Sequence, residues 1–169
     1  MKTRSNKGHA DAVVSDKLYH SVRRVIQESQ RAVSRVANSI MVETYWRVGF
    51  LIVEAEQQGK RKAEYGKAVL NDLARRLTAE YGSGYDASNL RNMRLFYLAF
   101  PICDALRHEL SWTHYRSLMH VSDPVAREWY LNECIASGWG TRDLDRQIAT
   151  QSYERLLAAK NPDRCRSAG

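Results

Sequence analysis

Proline occurs at only three positions of the 169-residue sequence, Pro101, Pro124 and Pro162. A proline inside a helix removes a backbone hydrogen bond and clashes with the preceding turn, so its absence from the first hundred residues leaves long stretches free to be helical. No segment alternates apolar and polar residues in the way a half-buried strand does. The sequence therefore predicts an all-α fold, a compact domain of several helices.

Apolar residues recur at helical spacing along most of the chain. The pattern predicts helices over residues 15–35, 38–58, 67–80 and 86–100, a short helix that begins after Ser111, and helices over 123–138 and 141–157. The predicted caps are Asp86, Ser111, Asp123 and Thr141, whose side chains can accept a hydrogen bond from a free amide of the first turn. Residues 38–58 are the most apolar, so this helix is expected to form the buried centre.

The helices are expected to form one domain over residues 15–158. Residues 1–14 are predicted to be a flexible basic N terminus, and residues 159–169 a disordered C-terminal tail. Cys103, Cys134 and Cys165 form no CxxC pair, which suits free thiols in a reducing compartment. Since the sequence shows no signal peptide and no apolar run long enough to span a bilayer, we expect a cytoplasmic protein without a membrane segment.

The formal net charge of +7 is unevenly distributed. Residues 60–94 hold eight basic and four acidic residues, whereas residues 123–160 hold five basic and six acidic ones. A basic region is the electrostatic footprint expected of a surface that binds phosphates. If one part of the chain contacts nucleic acid, the distribution favours residues 60–94.

Residues 67–100 have the layout of a helix-turn-helix unit, with an amphipathic helix, a short turn that contains glycines, and a second helix. At 100° per residue, Leu90, Met93, Tyr97 and Phe100 share one face of the second helix, with Phe96 beside them. On the opposite side lie Ser88, Arg91 and Asn92, which can contact phosphates or base edges. Leu95 and Leu98 also project outward, which indicates that the second half of this helix is buried. An equally good interpretation of Arg91, Asn92 and Arg94 is the solvated face of a helical bundle.

Signatures of the common enzymes are missing from the sequence. The five histidines have no metal-ligand spacing, and no Gly-rich phosphate loop, GxSxG or HExxH motif occurs. Tryptophans can stack on bases, but those at positions 46, 112, 129 and 139 stand among apolar residues and are assigned to packing. We expect no metal and no cofactor.

Several motifs recur together and in order, namely YGK, NLRNMRLFY, LSWTHY, RQI and YERL. Together with Tyr45, Trp46 and Gly49, they resemble the N-terminal domain of the YhcG family of bacterial nucleases, over residues 18–157. The resemblance implies a winged-helix-like or helix-turn-helix module that recognises DNA and precedes a nuclease domain of the PD-(D/E)xK type. This sequence ends soon after YERL, and no acidic residue stands two positions before a lysine.

The resemblance therefore implies a DNA-binding module that is not an enzyme by itself and that works alone or with a separate nuclease chain. Its candidate nucleic-acid residues are Ser88, Asn89, Arg91, Asn92 and Arg94, with Lys67 and Arg75 as phosphate contacts. An alternative role for Asn89 is to lock the turn. The alternative function is a helical interaction or oligomerisation module, including a homodimer, that associates through Leu95, Leu98 and the apolar second helix.

Overall fold

The computed structural model of the protein describes residues 15–58, 63–103 and 106–160. Regular structure in these ranges is entirely helical, which confirms the all-α prediction. The described α helices are α1 (Asp16–Gln58), α2 (Ala63–Tyr81), α3 (Ala87–Ala99), α4 (Trp112–Leu118), α5 (Pro124–Ala136), α6 (Thr141–Ala149) and α7 (Ser152–Lys160). A 3-10 turn, Ser83–Tyr85, lies between α2 and α3.

The ends of the chain and the connector after α1 fall largely outside the described residues. The flexible N terminus predicted at residues 1–14 and the tail from residue 161 onward lie there. Because α7 continues through Lys160, the first two residues of the predicted tail are helical. None of the described helices is long and apolar enough to cross a membrane.

Helix α1 is continuous over 43 residues, so the predicted interruption between residues 35 and 38 is wrong. Asn38 and Ser39 look like a helix start in sequence, but neither residue is a strong enough breaker to stop a helix. The chain nevertheless divides into two compact units, one up to Ser34 and one from Arg35 onward. In the first unit, almost every described side chain is exposed.

The core of the second unit is built mainly from α3, α4, α5 and α6. Its largest fully buried side chains are Leu90, Met93, Phe96, Tyr115, Leu118, Tyr130, Cys134 and Leu144. Helix α1 contributes one buried face, with Val42, Ile52 and Val53, whereas Ile40 and Leu51 are exposed. The prediction that residues 38–58 form the buried centre is therefore wrong, because nearly continuous apolarity does not show which side of a helix meets the core.

Gly49 brings the backbones of α1 and α3 into contact. A Cβ atom at this position would lie 2.1 Å from the carbonyl oxygen of Met93 and 3.1 Å from the Cβ of Tyr97. No side chain fits such a distance. The Trp46 indole also donates a hydrogen bond of 2.6 Å to the carbonyl of Phe100, so α3 is fixed against α1 near both ends of the contact.

The tryptophans pack as the sequence predicts. Trp46 makes an edge-to-face contact with Tyr97, Trp112 with Phe96, and Trp129 with Tyr130. Such pairs add to the free energy gained by burying the rings. We therefore assign these indoles to the interior rather than to base stacking.

Three of the four predicted caps are confirmed. Asp86 and Asp123 accept hydrogen bonds from amides of the first turns of α3 and α5, and Ser111 precedes α4. The predicted cap at Thr141 is wrong, since Gly140 occupies the cap position and Thr141 is the first residue of α6. Glycine is tolerated at a cap because it adopts the extended backbone without cost.

His114 links the start of α4 to the turn after α5. Its Nδ1 accepts a hydrogen bond of 3.1 Å from the backbone amide of Ser111, and its Nε2 donates to the carbonyl of Trp139 at 3.2 Å. Only the neutral ring can make both bonds. Burial lowers the pKa of His114 below its usual value, which the hydrogen bond to Trp139 offsets only in part.

We predict that acid destabilises the protein through His114. Since the folded-state pKa lies below that of the unfolded chain, the contribution is complete above the unfolded pKa of about 6.5 and is lost as the pH falls below it. Urea unfolding at about pH 7.5 and about pH 5.5 should show a larger loss of stability for the wild type than for His114→Gln. An identical pH dependence of the two proteins would refute this role.

Candidate nucleic-acid interface

Helix α3 follows α2 after a tight turn at residues 82–86. Gly82 has a φ of 91°, a backbone conformation that residues other than glycine rarely adopt. The 3-10 turn comes next, and Asp86 caps α3 by accepting a hydrogen bond of 2.8 Å from the amide of Asn89. The order of helix, glycine turn and helix is the one expected from the sequence.

The side chain of Asn89 holds this turn in place. It is half-buried and donates a hydrogen bond to the carbonyl of Gly84. It also interacts with the hydroxyl of Tyr45, whose pKa is raised mainly by burial. Asn89 thus has partners inside the protein, and its role here is to position the first turn of α3.

Ser88 and Arg91 are the exposed polar residues at the start of α3. Neither side chain has a hydrogen bond or ion pair with another described residue. Asn92 likewise has no such partner, but it is half-buried. The polar groups of Ser88 and Arg91 are therefore open to solvent or to a ligand.

Arg94 differs from Arg91 although both are arginines of the same helix. Its Nε lies 2.7 Å from the carboxylate of Glu56 in α1, and both side chains are partly buried. Because Arg94 is already neutralised, a phosphate would have to compete with Glu56 for it. Arg94 therefore lies at the junction of α1 and α3 and is paired there, whereas Arg91 has no ion-pair partner among the described residues.

Two exposed arginines of α2 share one acidic partner. Arg75 lies 2.5 Å from Asp72 and Arg76 lies 3.5 Å from the same carboxylate. The hydrogen bond from Arg75 lowers the pKa of Asp72. Exposed ion pairs of this kind contribute little to stability and exchange readily, so both guanidinium groups can be released to a phosphate.

Sequence reasoning missed Arg76, although its position next to Arg75 within the basic stretch of residues 60–94 was a usable signal. The side chain of Lys67, the other predicted phosphate contact of α2, lies outside the described residues.

Leu95 and Leu98 follow Arg91 along the exposed side of α3. They are 40% and 50% exposed, so their outward projection is confirmed and the predicted burial of the second half of this helix is wrong. Phe96 is completely buried and Tyr97 only half-buried, so the core-facing side is centred on Phe96 rather than on Tyr97. The exposed side of α3 is therefore polar in its first half and apolar in its second.

An acidic group stands at the start of α3, because Asp86 occupies the cap. In the last turn of α2, Glu80 interacts with the hydroxyl of Tyr81 and raises the pKa of Tyr81. A carboxylate at a helix N terminus already neutralises the partial positive charge there. An anion would consequently approach Arg91 from the side of the helix rather than along its axis.

Metal-dependent hydrolysis has no visible centre in the part of the chain that the structure describes. No group of three or more His, Cys, Asp or Glu side chains able to hold a metal ion occurs in these ranges. The buried Cys134 has its pKa raised by burial, and its thiol lies 3.5 Å from the carbonyl of Trp139. A thiol in this setting is a packing group rather than a nucleophile.

Comparison with known proteins gives one family. Residues 21–155 match the model of the DUF1016 N-terminal domain. The chain is also 34% identical over 176 aligned residues to a protein of Escherichia coli (strain K12) described as "Putative nuclease YhcG". That match covers 85% of this chain and 46% of the relative, so the chain spans about half of the relative's length. No solved structure matches the chain.

Proposed function

The chain belongs to the DUF1016 N-terminal domain family, and from this premise we propose that it is a DNA-binding module of a nuclease-related system, without catalytic activity of its own. The observation that carries the proposal is the exposed guanidinium of Arg91, which has no partner among the described residues. A charge held free of internal partners on an ordered helix is available to a phosphate or a base edge.

The rigidity of α3 supports this proposal. The helix is fixed at its start by Asp86 and Asn89, and along its length by the backbone contact at Gly49. A recognition element that is already ordered loses little conformational freedom when it binds. The α2–turn–α3 segment would then act as the helix-turn-helix unit.

Each candidate residue has a defined part in the proposed complex. Arg91 contacts a base edge or phosphate, with Ser88 and Asn92 beside it on α3. Arg75, Arg76 and Lys67 contact the phosphate backbone from α2. Asn89 and Arg94 act indirectly, because they hold the first turn of α3 and its junction with α1.

Replacement of Arg91 by alanine tests the proposal. If Arg91 contacts a base or phosphate, Arg91→Ala should weaken binding to duplex DNA by about 1 to 3 kcal/mol, or about 5- to 150-fold. Fluorescence anisotropy with a labelled duplex at low salt measures this change. The matched control is Arg142→Ala, which removes another exposed arginine without an internal partner among the described residues.

The control variant should bind like the wild type. If wild type, Arg91→Ala and Arg142→Ala bind DNA with equal affinity, Arg91 does not contribute to DNA binding. Absence of any binding by the wild type at low salt would reject the DNA-binding function itself.

A second candidate function is docking onto another protein, such as a separate nuclease chain. The exposed apolar residues Leu95 and Leu98 favour it, because a helix face that only reads DNA is expected to be polar. The two functions are separable: replacing both leucines with glutamine should abolish docking and leave the binding of DNA through Arg91 intact.

A further inference from the structure

The first unit of the chain carries an apolar stripe on α1 that none of the described residues covers. We define the stripe by Leu18, Tyr19, Val22, Val25, Ile26 and Val33, which are between 48% and 70% exposed. Isolated exposed apolar residues are ordinary, but six on one side of one helix form a continuous surface. Such a surface is typical of a helix that packs against another helix.

The spacing of these residues indicates what packs there. Tyr19, Ile26 and Val33 recur at intervals of seven, and in the sequence the same interval reaches Ile40. Val22 and Ser29 stand three residues after the first two members. This is the a and d pattern of a coiled coil, with β-branched residues at most of its a positions. A partner for such a seam has to carry the same seven-residue repeat.

From this pattern we propose that the stripe pairs with the stripe of a second copy of the chain, forming a coiled coil of two α1 helices. Helix α1 carries this repeat on residues that are exposed, so a second copy of α1 offers a seam of the matching spacing. The proposal does not depend on DNA binding, which involves other residues.

The charges of α1 are compatible with self-association. Arg24 and Arg31 project to the side of the helix opposite the stripe, and Arg23 lies about 90° from the middle of the stripe. The positions that flank the seam on its other side are Leu18, Val25 and Ala32, which are apolar. Two copies can therefore pair without bringing like charges together.

Ser29 is the polar interruption of the stripe. Its hydroxyl donates a hydrogen bond of 3.0 Å to the carbonyl of Val25 in its own helix, so it can be buried in a seam without an unsatisfied polar group. A serine in the seam buries less apolar surface than a leucine or isoleucine would, so the two helices are expected to associate weakly. This predicts that an apolar side chain at position 29 tightens the pairing.

The test is sedimentation of the full chain over a range of micromolar concentrations. The wild type should pass from monomer to dimer, and Ile26→Gln combined with Val33→Gln should remain a monomer throughout. Ser29→Ile should lower the dissociation constant at least about tenfold. Gln27→Ile is the matched control, because it adds a similar side chain about 150° from the middle of the stripe and should leave the constant unchanged.

Circular dichroism keeps the test decisive by showing that each variant is folded. A wild type that is monomeric at every concentration would overturn the proposal. So would a folded Ile26→Gln, Val33→Gln variant that still dimerises, or an equal gain from isoleucine at positions 27 and 29.

Discussion

Gly49→Ala is expected to lower the free energy of unfolding by about 3 kcal/mol, at the upper end of the cost of overpacking a core. The added Cβ would lie 2.1 Å from the carbonyl oxygen of Met93 and 2.8 Å from its carbonyl carbon. Both neighbours are backbone atoms, so a change of rotamer cannot relieve the clash. Either α1 or α3 has to move, and the buried side chain of Met93 moves with α3.

The matched control is Gly84→Ala. A Cβ there would meet only the hydroxyl of Tyr45, at 4.0 Å. Replacing a glycine at an unstrained position costs little and removes freedom from the unfolded chain, so a change within about 1 kcal/mol is expected. Urea unfolding monitored by circular dichroism compares the two variants. Equal stabilities would show that α1 and α3 do not approach each other as described.

DNA affinity is expected to fall roughly 100-fold between about 50 and 200 mM salt, if about four phosphates are neutralised. The four cations are the two arginines of α2, Arg75 and Arg76, together with Lys67 and Arg91. Each phosphate contact releases condensed counterions, and the dependence of the logarithm of affinity on that of salt has a slope of about −0.9 per contact. Anisotropy titrations across this range give the slope directly.

A double variant separates backbone contacts from other sources of salt dependence. Arg75→Ala with Arg76→Ala should reduce the magnitude of the slope by about 2. Arg116→Ala with Arg142→Ala removes the same charge from exposed positions of α4 and α6 and should leave the slope unchanged. An affinity that does not vary with salt, or equal slopes for both double variants, would contradict phosphate contacts through α2.

Local signals in the sequence predict most of the helical framework. Asp86 and Asp123 are correct caps because an aspartate before an apolar repeat satisfies amides of the next turn by itself, without help from distant residues. Thr141 fails as a cap because the preceding Gly140 takes that position equally well. The continuity of α1 through Asn38 depends on weak preferences that cannot decide whether a helix stops.

The exposed residues of the candidate interface were also predictable from the sequence, whereas the contacts that Arg94 and Asn89 make inside the protein were not. The exposure of Ser88 and Arg91 follows from helical projection alone. The ion pair of Arg94 with Glu56 joins residues 38 positions apart, and no local pattern contains it. The hydrogen bond of Asn89 to Gly84 depends on the shape of the turn, which glycine permits but does not specify.

Photo-crosslinking at position 88 tests most directly whether the first half of α3 contacts DNA. Benzoylphenylalanine in place of Ser88 should form a covalent adduct with duplex DNA on irradiation, and the adduct should decrease as salt is raised. The same group in place of Asn132, an exposed residue of α5, should form little or none. Absence of an adduct at position 88, or equal yields at positions 88 and 132, would contradict the proposed interface.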